Sequence, residues 1–382
     1  MLTLTSRRFG EKDKKELNDS YNRYTGHSRT IEQFEWEWLN TPEGWGSIWL
    51  LEEIDTGRIV GHHGLIPINF TYFGNSVLTG KTENTHIHPP YAGKGLYYPF
   101  EVKFLEEASH RFGLLYTTQG AGAPGAVRLK LGYVCVGTYL TYMKIIQRSY
   151  SDKRLVKAIN RKIHNEFIAA LLITSIKVGN LILMPLFCSR RVLDEAITLQ
   201  RATSIDEVAE ELDRFWERNR EKFGITVDRN SRYLKWRVFD NPNVTYEFFL
   251  ALRQHNIVGY VITQSSEEAD NRLGTIVDLI ADGNNQEIFD TILNAIVSTF
   301  KENGIQGVQF PTLLSDNFLN KALKRNGFKS FSMLRKIVKK SFGIKQQESL
   351  LLAKVLDNNL DAARVSDSAC WYFTSILTEG VR

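Results

Sequence analysis

Apolar and polar positions along this 382-residue chain follow the same order twice. In the first unit Phe34, Trp36 and Trp38 precede Pro42, residues 48–53 read as a strand, and Ile59-Val60-Gly61 opens another. In the second, Tyr233 and Trp236 precede Pro242, residues 246–252 read as a strand, and Ile257-Val258-Gly259 opens the next. Residues 85–88 then align with 275–278, and helical patterns follow at 96–112 and 287–303. Each unit ends on a short helix stopped at a glycine, Lys130-Leu131-Gly132-Tyr133 and Lys324-Arg325-Asn326-Gly327-Phe328, where glycine supplies the left-handed stop before a final strand. A supersecondary order repeated in this way predicts two similar α/β domains.

The units part company at one turn. From residue 85 to 98 the first reads Thr-His-Ile-His-Pro-Pro-Tyr-Ala-Gly-Lys-Gly-Leu-Tyr-Tyr: a strand end, a proline exit, a glycine turn and a helix start. Gly93 and Gly95 permit positive φ and close approach of a ligand. The helix opening near Leu96 turns its unpaired N–H groups and positive dipole end to the same spot, which makes a cradle for a pyrophosphate. The second unit reads Ile-Ala-Asp-Gly-Asn-Asn-Gln-Glu over 280–287, and the carboxylates of Asp282 and Glu287 would repel such a group. Anionic cofactor binding is therefore expected of the first half alone.

Composition narrows the partners. The length predicts two or three domains, and 43% apolar residues supply packed cores. A net charge of +5, with Lys and Arg spread along the chain, leaves no nucleic-acid footprint. Cys135, Cys188 and Cys370 have no C-x-x-C spacing and no histidine ladder beside them, so neither a disulfide framework nor a metal site is expected. With an N-terminus that turns charged at Arg7-Arg8, this predicts a cytoplasmic protein. Residues 167–188 hold one charge, Lys177, and are long enough for a membrane span, but Gly179, Asn180 and Pro185 interrupt them. They read as a helical connector buried between the domains, with a peripheral membrane contact as the alternative.

A strand, a [QR]-x-x-G-x-[GA] turn and a helix, then a strand, a short helix, an "lGF" motif and a closing strand, is the order of the GNAT (GCN5-related N-acetyltransferase) superfamily. Over roughly residues 2–338 the chain resembles a tandem-GNAT protein. The resemblance implies an α/β fold with mixed sheets: an acetyl-CoA-binding domain at 1–147, a helical connector at 148–200, a degenerate GNAT-like domain at 201–341 and a tail at 342–382. It implies acetyl-CoA as co-substrate and no metal. The backbone of Ile87 and His88 would lie against the pantetheine arm, and Gly93, Lys94, Gly95, Leu96 and Tyr97 would ring the pyrophosphate. Two positions depart from the family turn: Pro90 stands in place of Gln or Arg, and Ala92 where Arg is common. Losing that cation removes a charge-assisted contact of about 1.5–3 kcal/mol, for which Lys94 is the substitute at hand.

Acyl transfer from a thioester to an amine needs a neutral amine, a place for the developing oxyanion and a proton for the departing thiolate. A period of two along the strand puts Lys81, Glu83, Thr85 and Ile87 on one face and Thr82, Asn84, His86 and His88 on the other. Glu83, four residues before Ile87, holds a place where superfamily members often carry a base, and it is the expected general base. Its structural alternative is a pair with Lys81 or Arg58, and His86 is the second candidate. His62-His63 and the His86, His88 pair otherwise read as hydrogen-bonded structure. Many members protonate the thiolate with a tyrosine four residues before the glycine of the closing motif; here that position is Arg128. The asparagine common on the preceding loop is absent from Gln119-Gly120-Ala121-Gly122-Ala123-Pro124, and Tyr133, then Tyr116, are the replacements considered for the acid.

The expected function is acetyl-CoA-dependent N-acyltransfer to the primary amine of a small molecule, with an amino sugar in polysaccharide biosynthesis as the expected acceptor. Its pocket is expected where the halves meet, near Trp36, Trp45 and Tyr72. Two other readings stay open. One is a non-catalytic CoA-binding or scaffold module, favoured by Ala92, Arg128 and the missing asparagine. The other is a tandem-GNAT aminoacyl transferase of cell-wall peptide, against which the glycine cradle and modest charge count. The tail turns polar from Gln346 and then apolar at Cys370-Trp371-Tyr372-Phe373, enough to dock on the body.

Overall fold

Strands and helices succeed one another in the repeated order that the apolar pattern predicts. The computed structural model describes residues 4–120, 123–147, 149–150, 194–268, 271–330 and 349–378, with 160 and 171. In the first half these are β1 (Leu4–Arg8), α1 (Lys14–Thr25), α2 (Ile31–Trp38), β2 (Ser47–Glu53), β3 (Arg58–Tyr72), β4 (Asn75–Ile87), α3 (Tyr97–Ala108), β5 (Leu114–Gly120), α4 (Ala123–Lys130) and β6 (Val134–Ile145). The second half holds β7 (Ile197–Ala202), α5 (Ala209–Glu217), β8 (Ile225–Val227), β9 (Glu247–Arg253), β10 (Asn256–Glu268), β11 (Asn271–Ala281), α6 (Gln286–Glu302), β12 (Gly307–Leu313), α7 (Phe318–Arg325), β13 (Lys329–Ser330) and β14 (Ser349–Val355). The connector reading of 148–200 ends early, because β7 already pairs with β9 from Ile197 onward. The remainder of that segment, including the apolar stretch at 167–188, lies almost wholly outside the described residues.

One sheet runs through both halves, in the order β1-β2-β3-β4-β5-β14-β6-β12-β11-β10-β9-β7. The centre of that order departs from two self-contained domains. β6, the closing strand of the first half, runs antiparallel to β12 of the second along Gly307↔Ile145 to Leu313↔Tyr139. β14, from the segment read as a tail, lies between β5 and β6 and pairs with both. Its Leu351, Leu352 and Ala353 are buried, so the tail reading of 342–382 gives way to a central strand. The halves also meet at two indoles from equivalent positions. Trp36 and Trp236 stack with centroids 5.0 Å apart, and each Nε1 donates to the other's carbonyl, at 2.9 and 3.0 Å. The reciprocity marks a pseudo-twofold axis between the repeats.

Within each half one pair of parallel strands meets briefly and then separates. β4 and β5 pair from Thr79↔Leu114 to Lys81↔Tyr116, and β11 and β12 from Leu273↔Gly307 to Thr275↔Gln309. Next to each separation the strand carries a bulge. β4 sets two residues, Asn84 and Thr85, against the single His63 of β3, between Gly64↔Glu83 and His62↔His86, and Asn84 there has φ +48. β11 has the matching irregularity beside Ile262↔Asp278. In the second half the gap is filled by the chain itself: Thr374 Oγ1 donates to Asp278 at 2.7 Å, Thr312 Oγ1 to the Phe373 carbonyl at 2.6 Å, and Ser375 to the Val277 carbonyl at 3.2 Å. The apolar tail docks as expected: Trp371 and Tyr372 lie along β8, and residues 373–375 enter this gap.

Candidate functional site

Among the described residues the first half keeps its gap open. Beyond Lys81 the separation of β4 from β5 leaves a cleft of about 430 Å³, walled by Thr82, Glu83, Asn84, Thr85 and His86 of β4 and by Thr117 and Thr118 of β5. Tyr21, Thr25 and His27 close it on the α1 side, Pro124 and Arg128 on the α4 side. The bulge changes which side chains face which wall. Strict alternation sets Thr85 with Glu83, yet Thr85 Oγ1 accepts from Arg128 on the α4 side, and Ile87 joins the apolar cluster of Phe100 and Phe104 on α3. His86 and His88 lie instead against Tyr24 of α1, and Asn84 donates to Glu37 of α2 at 2.7 Å. One inserted residue reverses every side chain after it.

At the end of β4 the chain leaves through Pro89-Pro90-Tyr91 and enters the glycine turn. Gly93 and Gly95 have φ +76 and +73, which L side chains rarely adopt, and a Cβ at either would meet nothing within 4 Å. The helix behind them is left uncapped: Leu96 at its N-cap offers no side-chain acceptor, and no acidic residue occupies the first turn. Its first N–H groups and its dipole therefore remain available to an anion. The second half answers its own helix. Asn285 accepts from Glu287 N and Ile288 N at 2.9 and 3.1 Å, Glu287 sits in the first turn, and Asp282 is held by Asn219 at 2.8 Å. Of the other residues assigned to the cofactor, Lys94 holds its ammonium over the Tyr91 ring at 5.2 Å. His88 has its N–H on the Val60 carbonyl and its carbonyl on Tyr91 N, at 2.9 and 2.8 Å.

A buried polar network lies against the α3–α4 wall. Glu101 of α3 accepts from Arg128 Nε at 3.1 Å and lies 3.1 Å from His63 Nε2, with all three side chains almost wholly buried. Arg128 also reaches Thr85 Oγ1 at 3.2 Å and Thr117 Oγ1 at 3.5 Å, so it touches both separated strands. Burial opposes ionisation of Glu101, yet His63 and Arg128 outweigh it and hold the carboxyl down at about 2. Tyr133 stands beside this network near Thr82, its hydroxyl pushed up by burial, and it is not among the cleft residues. Tyr116 is fully buried and donates to the Leu377 carbonyl at 3.0 Å.

On the α1 side Glu83 reaches the cleft, and its carboxylate is ion-paired with Lys81, both side chains buried. His86 also lines the cleft. Its Nε2 is buried with no hydrogen-bond partner among the described residues, and burial lowers its pKa, so the ring is neutral at neutral pH. His88, whose Nε2 meets Ser20 Oγ at 2.7 Å, is lowered to about 4, first by burial and then by His86, Arg58 and Arg23.

The residues expected around the acceptor do not come together. Trp36 is packed on Trp236, Trp45 is half exposed away from the cleft, and Tyr72 bonds near Asp361. The hollow between the halves beside Trp36 and Trp236 measures about 20 Å³, room for one water and no acceptor. Glu101 escaped sequence reasoning, although a charge amid the apolar stripe Phe100, Phe104, Leu105 and Ala108 was a visible signal. Among the described residues no group of three or more His, Cys, Asp or Glu is placed to hold a metal ion, and no helix is long and apolar enough to cross a membrane.

No family model and no curated protein matches the sequence. Solved structures match its fold. A GCN5-related N-acetyltransferase from Anabaena variabilis is 11% identical, with 93% of this chain and 73% of that one covered and a TM-score of 0.61. Saccharomyces cerevisiae N-myristoyltransferase, solved with myristoyl-CoA bound, is 11% identical over 92% and 83% at 0.54. A tandem GNAT protein from the clavulanic acid biosynthesis pathway is 11% identical over 93% and 99% at 0.51. The chain therefore has a tandem GNAT fold.

Proposed function

We propose that the first half is an acyl-CoA-dependent N-acyltransferase that moves an acetyl group onto the primary amine of a small molecule, with amino sugars first among the acceptors. The observation that carries this reading is the contrast between the halves. One repeat has an open gap beside an uncapped, glycine-led helix start; the other has its gap filled by Thr374 and its helix start capped by Asn285. An anionic, thioester-bearing ligand fits the first arrangement and not the second.

When bound, acetyl-CoA supplies an activated acyl carbonyl. The backbone from Gly93 to Tyr97 holds the diphosphate, with Lys94 adding charge in place of the arginine missing at Ala92. The bulge at Asn84 takes backbone N–H groups out of the β3 register beside the cleft, where they stabilise developing oxyanion charge. His86, neutral and lining the cleft, removes the amine proton; Glu83 lines the same cleft, but its pairing with Lys81 commits its charge.

Calorimetry with acetyl-CoA, followed by a thiol-release assay over a panel of amines, tests the reading. Binding by the wild type is expected, and Gly93→Asp should abolish it through a strained φ and a negative charge facing phosphate. Unchanged affinity in that variant would sink the cradle; binding without turnover on any amine would favour a non-catalytic module, consistent with Arg128 at the family's tyrosine position.

A further inference from the structure

We infer that Arg128 does the work of a proton donor without giving a proton: its guanidinium stabilises the leaving sulfur as a thiolate. This rests on the acyl-CoA reading above. α4 carries the side chain into the gap just past the last β4–β5 pair, Lys81↔Tyr116, where NH2 reaches Thr85 Oγ1 at 3.2 Å and NH1 reaches Thr117 Oγ1 at 3.5 Å. One cation thus bridges both walls of the cleft. Glu101 grips the Nε edge from behind at 3.1 Å and is itself anchored by His63, so the NH1 and NH2 ends carry the contacts to the strands. A cation only 3% exposed and held this way is preorganised, and little has to rearrange when negative charge appears beside it.

A guanidinium stays protonated throughout the working pH range, so its contribution is charge and hydrogen bonding. Of the two tyrosines considered for the acid, Tyr116 donates to the Leu377 carbonyl and Tyr133 does not line the cleft. In the transfer step a C–N bond forms between the acceptor nitrogen and the acyl carbon, and the C–S bond breaks with its electron pair left on sulfur. The amine proton passes to His86 and on to water. Arg128 neither gains nor loses a proton. Its contacts to two threonine hydroxyls are long and neutral, and a thiolate is a stronger acceptor for the same N–H groups.

Titration of the thiol of CoA bound to the intact protein, followed by thiolate ultraviolet absorbance, tests this. In the wild type the bound thiol should ionise about one to two pH units below that of free CoA, a tenfold to hundredfold shift. Arg128→Lys should keep part of the shift. Arg128→Met combined with Glu101→Gln, which leaves no carboxylate buried alone, should abolish it while CoA still binds. A bound thiol that ionises as free CoA does in the wild type overturns the inference, and so does a shift retained by the double variant; the wild-type titration decides even where a variant fails to fold. No CoA binding by the wild type brings down the acyl-CoA reading and this inference together, whereas binding with an unshifted thiol removes this inference alone.

Discussion

Buried imidazoles tie the first half to pH at the level of single residues. His62, His86 and His88 are each lowered first by burial, His88 to about 4. Below pH 6.5 the unfolded chain takes up protons that these folded-state rings refuse, so their contribution to stability is full above 6.5 and is lost as pH falls toward 4. Urea unfolding at several pH values should show this loss reduced by about 2 kcal/mol in His88→Gln; an identical pH dependence in that variant would remove His88 from the account. His86→Gln should slow turnover by about 10²–10⁴-fold with acetyl-CoA affinity unchanged, and wild-type turnover would return the proton to Glu83. The types of these residues were legible in the sequence, and their directions were not. A one-residue bulge at Asn84 leaves no compositional mark, so alternation correctly ordered the strand up to Glu83 and misplaced Thr85, His86, Ile87 and His88 relative to it.

At the scale of elements, the glycine turn was readable because it rests on local backbone chemistry: φ above +70° at Gly93 and Gly95, and an uncapped helix directly after. β14 was missed for the opposite reason. Ser-Leu-Leu-Leu-Ala-Lys-Val is too short for its pattern to stand out, and its partners β5 and β6 lie far away in the chain. Leu351 in that strand is fully buried, so Leu351→Ala should cost about 2–5 kcal/mol in a denaturant titration. The same variant should weaken acetyl-CoA binding in calorimetry, although Leu351 is not a cleft residue, because β14 supports the β5 wall through Leu351↔Thr118. Unaltered affinity would mean that the wall holds without its neighbour.

For the molecule as a whole, the repeat was legible because equivalent indoles kept their order, and the structure brings those very residues, Trp36 and Trp236, face to face. Which half completes which was not legible, since strand exchange is a matter of pairing between distant segments. Continuity of the sheet from β5 through β14 and β6 to β12 predicts one cooperative unfolding transition, with near- and far-ultraviolet signals coinciding. Trp36→Phe and Trp236→Phe should be non-additive by about 0.5–1.5 kcal/mol in a double-mutant cycle, and additivity would deny that the axis is an energetic contact.

The central position of β14 also sets an order in time. A ribosome delivers the cradle, the cleft strands and Arg128 long before residues 349–355, so the nascent first half waits with one side of β5 unpaired while the entire second half is made. Until then that edge is open to other chains, and the second half carries the strand that closes it. A message cut short before β14 would therefore yield a chain with every cleft residue present and no finished sheet to hold them.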